Sequence, residues 1–538
     1  MGWTGTRRLL RALACLLPLG SSVAALADEP GAVVLTILHT NDTHGHVLSG
    51  TNLSDETHGG LARAATVARQ VRQTMPNVLL FDTGDWAHGT PEEYLSAGAA
   101  SASVLRAVGY DAICPGNHEF GWGADAARTD LMAVGCPVVC ANLLDATTGQ
   151  PWDPVRPWVI FTKSSVRVAV FGLTTLETVS LEWPSFLAGI KFEDPFAAAA
   201  RLVPELRRQA DVVVLLSHLG LAQDLLLAAA VPGIDLILGG HSHSNVTTRL
   251  TAGGAVIAQT GAYAERIGRV DLLLRPTTNG NGYLIADVNG KDGRWWGSGP
   301  EAPLGATYPT SPSIELDGSY APDPTVVSAY AIYRDEARWR QEQVLATADA
   351  AITDEGAPGD TPLSRLVADQ IRAATGADVA LVDGKMRGTI GPGKVTAGQA
   401  WAALGGYTAQ NVVKLRATGT ALRQALEQWA GSPAGLAIGV SGLWASYNPA
   451  KQLGKRVQDV RVAGQPPDPD PARWEPLEPN REYTVAAVAY VARRFPSLMA
   501  CRVESNQLGW TRELLAKGLR AAGRIAPDMR SRLVRTRG

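Results

Sequence analysis

The chain has 538 residues, 46% hydrophobic and 19% charged, the profile of a globular protein of two or three domains. That profile excludes a disordered chain, a coiled coil or a collagen-like fibre. Lysine and arginine number 49 against 51 aspartates and glutamates, a formal charge of −2, so no basic excess exists to hold a nucleic-acid polymer.

At the N-terminus, Arg7, Arg8 and Arg11 precede an apolar run from Ala12 to Leu19 and a small-residue stretch ending Ala25-Leu26-Ala27. This is the pattern of a secretory leader over residues 1–27. The run is too short for a membrane anchor. Cys15 after Leu13-Ala14 adds a lipoprotein-type signal, which the surrounding residues match imperfectly. Cleavage would leave 46 basic against 51 acidic residues, a charge of −5. The expectation is an exported chain, periplasmic or extracellular. Cys114, Cys136, Cys140 and Cys501 then remain, and four cysteines allow three full pairings. Burial as small hydrophobes is an equal alternative, and their spacing does not resemble a zinc knuckle.

In chain order, strands are expected at Val33–Leu38, Val78–Phe81, Ala112–Cys114, Val138–Cys140, Val166–Phe171, Val212–Leu216, Leu236–Leu238 and Val256–Gln259. Amphipathic helices such as Leu61–Gln73 and Pro195–Gln209 alternate with them. That alternation is the mark of βαβ units. Around residues 275–322 the pattern dissolves into Gly, Pro, Asn, Ser and Asp. A helix is expected from Pro324 toward Val344, because proline favours a first turn. A second α/β region follows, with helices Leu363–Ala374 and Gly419–Trp429 and a strand Tyr483–Val491. The expected division is a first domain at 28–275, a connection with a bridging helix at 276–345, a second domain at 346–500 and a tail at 501–538.

Histidine placement points to the chemistry. All nine histidines (39, 44, 46, 58, 88, 118, 218, 241 and 243) precede residue 244. Five polar clusters sit just past expected strands: Asp42-Thr43-His44, Gly84-Asp85, Gly116-Asn117-His118-Glu119, Ser217-His218 and Gly239-Gly240-His241-Ser242-His243. In open α/β sheets that edge binds ligands. An Asp-x-His pair can ligate one ion from a single loop, His-x-His can offer two imidazoles, and a carboxylate such as Asp85 can bridge two ions. An asparagine carbonyl completes a mixed nitrogen–oxygen shell. No thiolate takes part, which argues against structural zinc or an iron–sulfur cluster.

The strings NDTHGH, DTGDWAHGT, GNHEFGWG, SHLG and GGHSHS resemble the calcineurin-like metallophosphoesterase domain of the 5'-nucleotidase family. TGADVAL, VTAGQ, VSGLWASYNP and LGKRV resemble that family's C-terminal domain. The resemblance implies a four-layer β-sandwich flanked by helices, a bridging helix and a second α/β domain. It implies two divalent cations (zinc, manganese or cobalt) that activate water for phosphoester hydrolysis. One ion would take Asp42, His44, Asp85 and His243. The other would take Asp85, Asn117, His218 and His241, with His118 as the catalytic histidine at the leaving group. The implied partner is a small phosphoester, with no nucleic-acid polymer and no stable membrane anchor.

Departures from the family fall at the residues that read the nucleotide. The Asn-Gly-Gly-Gly-Ile-Arg loop appears as Val382-Asp383-Gly384-Lys385-Met386-Arg387, keeping Arg387 alone, and a second arginine position falls near Ala357. The two base-sandwiching aromatics align with Ala437 and Tyr490, and Phe495 reads as a core residue rather than a replacement. The aspartate that follows GNHE-F in the family, and hydrogen-bonds the catalytic histidine, is Gly121 here. The expectation is a 5'-nucleotidase-like phosphoesterase. A dimanganese thiosulfohydrolase-like enzyme acting on sulfur esters is the alternative, and a non-catalytic binding protein ranks third.

Overall fold

The computed structural model describes residues 31–536, apart from 248–249, 279, 281, 289–312, 358, 387, 406–410, 432–436, 465–469 and 507. The expected leader at 1–27 and Arg387 lie outside the described residues. The chain divides into two compact units. Residues up to His88, Ser96–Leu176 and Gly189–Ala331 form the first, and Gly89–Leu95, Glu177–Ala188 and the residues from Ile332 onward form the second.

The first unit contains two six-stranded sheets. One runs in the order Tyr283–Val288, Arg266–Pro276, Val33–Thr40, Val78–Asp82, Ala112–Ile113, with Ser313–Glu315 also paired to Arg266–Pro276. The other runs Leu250–Ala252, Ala255–Ala258, Leu236–Gly239, Val212–His218, Val166–Thr174, Trp158–Lys163. Val33–Thr40, Val78–Asp82 and Ala112–Ile113 are mutually parallel, as are Val166–Thr174, Val212–His218 and Leu236–Gly239. Parallel strands covered on both faces are apolar throughout rather than alternating. Val78–Asp82 and Val212–His218 are accordingly buried at every position.

Helices close the faces. In Pro195–Gln209, Asp194 caps the first turn by accepting from the Ala197 N–H at 2.8 Å, and Ala199, Leu202, Val203 and Leu206 turn inward. Each such aliphatic side chain taken fully from water contributes about 1.5–3 kcal/mol. Val138–Cys140, expected as a strand, makes only isolated bridges, Ile113 to Val138 and Val139 to Arg156. It is too short to build a ladder. None of Cys114, Cys136, Cys140 and Cys501 forms a disulfide.

The second unit is built on a five-stranded sheet in the order Ile438–Ser441, Val379–Asp383, Glu482–Val488, Val412–Thr418, Arg502–Ser505. Helix Pro362–Thr375 starts at a capping box in which Thr361 and Ser364 exchange side-chain and backbone bonds, satisfying two first-turn N–H groups. Helix Gly419–Trp429 stands where the sequence placed it. The strand expected at Tyr483–Val491 instead ends at Val488, and Ala489–Arg493 is helical. The Ala489 N–H turns to the Asn411 carbonyl at 2.9 Å, and Ala489, Val491 and Ala492 stay buried in the helical turn. Packing there overrides the strand preference of the valines. The tail region contributes the strand Arg502–Ser505 and the helix Thr511–Ala522, whose Leu514, Leu515 and Leu519 join this unit's core.

Candidate active site

The candidate ligands stand at the carboxyl ends of parallel strands of both sheets. Asp42 and His44 follow Val33–Thr40, Asp85 follows Val78–Asp82, and Asn117 follows Ala112–Ile113. His218 ends Val212–His218, and His241 and His243 follow Leu236–Gly239. Asp42, His44, Asp85, His241 and His243 all adopt positive φ, from +47° to +74°. Such a backbone costs a non-glycine residue roughly 1–2 kcal/mol, so strain concentrates where the polar side chains converge.

Two glycines let these loops touch. A Cβ on Gly84 would stand 2.3 Å from the Gly116 nitrogen, and one on Gly116 would stand 2.3 Å from Asp85 Oδ1. Glu119 clamps the same loops together, accepting from the backbone N–H groups of Asp85 at 3.1 Å and Ala87 at 3.0 Å.

Two groups of ligand atoms result, Asp42–His44–His243 and Asp85–His218–His241, the atoms of each lying within 4.8 Å of one another. Backbone carbonyls set the tautomers. His218 Nδ1 donates to the Thr83 carbonyl at 2.7 Å, and His44 Nδ1 to the Ala87 carbonyl at 3.2 Å. A carbonyl only accepts, so Nδ1 of each ring carries a proton and Nε2 is the atom through which it would ligate, as a lone pair on His44 and once its own proton has left on His218. His44 Nε2 meets His243 Nε2 at 3.1 Å, and His218 Nε2 stands 3.0 Å from Asp85 Oδ2. Asn41 donates to Asp42 Oδ2 at 2.7 Å and the His241 N–H to Asp42 Oδ1 at 2.9 Å.

Asn117 Oδ1 is buried with no hydrogen-bond partner among the described residues, a cost of about 1–3 kcal/mol that a bound cation would remove. Burial opposes charge on Asp85, but the His218 and His118 imidazoles outweigh it and hold the carboxyl well below its ordinary range. Burial also works against a charged His218, yet Asp85 beside it pushes the ring up to about 10. Burial raises the Asp42 carboxyl to about 7. Protons therefore sit where divalent cations can replace them. Carboxylates, imidazoles and an amide oxygen without thiolate fit such ions.

His118 opens the short 3-10 turn His118–Phe120. Its N–H donates to Asp85 Oδ1 at 2.9 Å, and its Nε2 lies 3.9 Å from Asp85 Oδ2. The side chain is 23% exposed, and burial lowers its pKa. The space beside Gly121 is filled by the His88 ring, whose centroid is 5.0 Å from that of His118.

Sequence reasoning passed over three neighbours of this site. Asn41, which orients Asp42, directly precedes it in NDTH. His88 lies within DTGDWAHG. Tyr263, with φ of +60°, packs its ring 5.6 Å from His44 and 5.4 Å from His243, and no pattern in the sequence marks it. In the second unit, Tyr490 is half-buried on the short helix Ala489–Arg493, with the Arg494 guanidinium 4.5 Å from its ring centroid. Ala437 is buried, and Phe495 lies fully in the core as expected.

Residues 35–245 match the family of calcineurin-like phosphoesterases, and residues 344–498 match the 5'-nucleotidase C-terminal domain. Protein UshA of Yersinia enterocolitica is 25% identical over 532 residues, covering 89% of each chain. A 5'-nucleotidase of Vibrio cholerae is 32% identical over 230 residues, 39% of this chain and 40% of that one. Among solved structures, a 5'-nucleotidase precursor from Thermus thermophilus aligns with a TM-score of 0.64 at 23% identity, covering 93% of this chain and 99% of that one. The sulfate thiohydrolase SoxB from the same genus and species aligns at 0.58 and 20% identity, covering 93% and 96%. At these identities the structural likenesses speak for the fold alone.

Proposed function

The chain belongs to the 5'-nucleotidase family and is a metal-dependent phosphoesterase, and from that premise we propose that it releases phosphate from nucleotides and related small phosphoesters at the Asp85 centre. The observation that carries this reading is the pair of ligand groups, together with an Asn117 oxygen that is buried and has no hydrogen-bond partner among the described residues.

Asp42, His44 and His243 would hold one divalent cation and Asn117, His218 and His241 a second, with Asp85 shared. Zinc, manganese and cobalt all suit the donors. When bound, two such ions supply Lewis acidity and an activated water. Thr83 and Ala87 fix the His218 and His44 rings through their carbonyls. Glu119 holds the Asp85 and Asn117 loops in register. His118 stands on the Asp85 side, from which it donates a proton to the departing oxygen. In the second unit, Arg387 and Tyr490 would bind substrate, with Tyr490 stacking on a base. Export through the leader at residues 1–27 completes the proposal, and no helix among the described residues is long and apolar enough to cross a membrane.

The test compares phosphate release from AMP with hydrolysis of a thiosulfonate ester, both with added Mn²⁺. Turnover of AMP and not of the sulfur ester is expected. The reverse result would transfer the same centre to sulfur chemistry, and turnover of neither would leave a binding protein.

A further inference from the structure

We propose that His88 is a positioning residue for His118, its ring holding the His118 imidazole in the orientation from which it serves the leaving group. The role rests on the phosphoesterase reading above. Three observations support it. The His88 ring lies 5.0 Å from the His118 ring at an interplanar angle of 53°, and His44 meets His118 edge-on from 5.1 Å at 82°. The catalytic imidazole is thus packed between two other rings. Trp122 backs His88 at 4.0 Å, so the ring has little room to withdraw.

The third observation is Gly121. Its backbone is ordinary right-handed helix, φ −64° and ψ −20°, and any residue could adopt it. Its glycine is required by space instead. A Cβ there would stand 2.2 Å from His88 Nε2 and 2.5 Å from His88 Cε1, distances no real contact shows. His88 itself is carried on a left-handed backbone, φ +64°, which an L residue rarely adopts. Position 121 gives up its side chain, and position 88 accepts strain, in a way that brings one imidazole against another. A core filler would not call for both.

The role is one of geometry. A general acid contributes only when held within hydrogen-bond reach of its oxygen, and misplacement by an ångström costs orders of magnitude. Loss of the His88 ring should therefore matter most for substrates whose leaving group must be protonated.

The experiment measures kcat and KM for wild type, His88→Ala, His88→Phe, His118→Ala and the His88→Ala/His118→Ala pair. The substrates are an alkyl phosphate and 4-nitrophenyl phosphate, and metal content is measured alongside. His88→Ala is expected to lower kcat for the alkyl phosphate roughly tenfold or more, with a smaller loss on the aryl phosphate and an unchanged KM and metal content. His88→Phe, which keeps a flat ring, should recover most of the loss. His88→Ala should add nothing once His118 is alanine. Equal losses on both substrates, or additive losses in the pair, would overturn the proposal. If wild type cleaves neither phosphoester, the phosphoesterase reading fails. The positioning role is then decided by a crystal structure of His88→Ala, where an unmoved His118 ring would overturn it.

Discussion

The Nε2 atoms of His44 and His243 lie 3.1 Å apart, although 199 residues separate them in the chain. The Ala87 carbonyl takes the His44 proton at Nδ1, so His44 Nε2 is a lone pair facing a second imidazole nitrogen. A proton or a cation between them resolves the contact. Burial, with His118 nearby, holds the His44 pKa well below its ordinary value, so this ring stays neutral and ready to bind metal.

Metal binding should release protons. His218, raised to about 10 by Asp85 beside it, is protonated at pH 7 and must lose that proton to become a ligand. Affinity for Mn²⁺ or Zn²⁺ should accordingly rise with pH between about 6 and 8, by up to about tenfold per unit for each proton displaced. Calorimetric titration in buffers of different ionisation enthalpy measures the proton count. A count of zero would contradict this account of Asp85 and His218.

Gly121→Asp should impair the enzyme. Reading the sequence alone, a carboxylate at this position would orient His118. The structure corrects that, because the substitution would drive its Cβ into the His88 ring. Overpacking of this kind typically costs about 1–3 kcal/mol. A lowered melting temperature and a lowered kcat on alkyl phosphates are expected. An unchanged melting temperature would mean that His88 is free to move aside.

Tyr490→Ala should raise KM for AMP several-fold more than KM for a small aryl phosphate. Stacking on an aromatic ring is worth about 1–3 kcal/mol per base. Arg494 already covers part of the Tyr490 ring, so the lower end of that range is expected. Steady-state kinetics on both substrates decides, and equal effects would remove Tyr490 from base recognition.

Asp130 predicts a pH dependence of stability away from the centre. Burial is the only cause that raises its carboxyl, to about 7. The folded protein then holds this proton more tightly than the unfolded chain does. The penalty is absent below about pH 4, where both states are protonated, and grows as pH rises through about 7. Asp130→Asn should therefore stabilise the protein by about 1–2 kcal/mol at pH 8 and by nothing at pH 4, read from thermal melts at both values.

The legible part of this molecule was its strand ends. Each apolar run ends in a polar cluster, with glycine beside three of the five, and these clusters carry the candidate ligands from Asp42 to His243, because the parallel strands are buried and the chain turns polar where they end. The nine histidines were a coarser guide. His39 belongs to the core, its pKa lowered to about 3 by burial, and His58 is exposed beside Asp55. The turn at Val488 was illegible, since β-branched residues on both sides of it share one local preference and only tertiary packing separates them. His88 lies within DTGDWAHGT, but nothing in that string marks its ring contact with His118, and Tyr263 lies in no such string. Both roles come from left-handed backbone and from ring contacts across loops, which leave no period.

The most direct test is a titration of metal-free protein with Mn²⁺, following phosphate release from AMP in wild type and in Asp85→Asn. The wild-type rate should climb to a plateau at two equivalents per chain. Asp85→Asn, lacking the shared carboxylate, should lose at least about a hundredfold in rate and bind fewer than two ions. A full rate in the presence of excess chelator, or a wild-type plateau and metal content in Asp85→Asn, would contradict this reading.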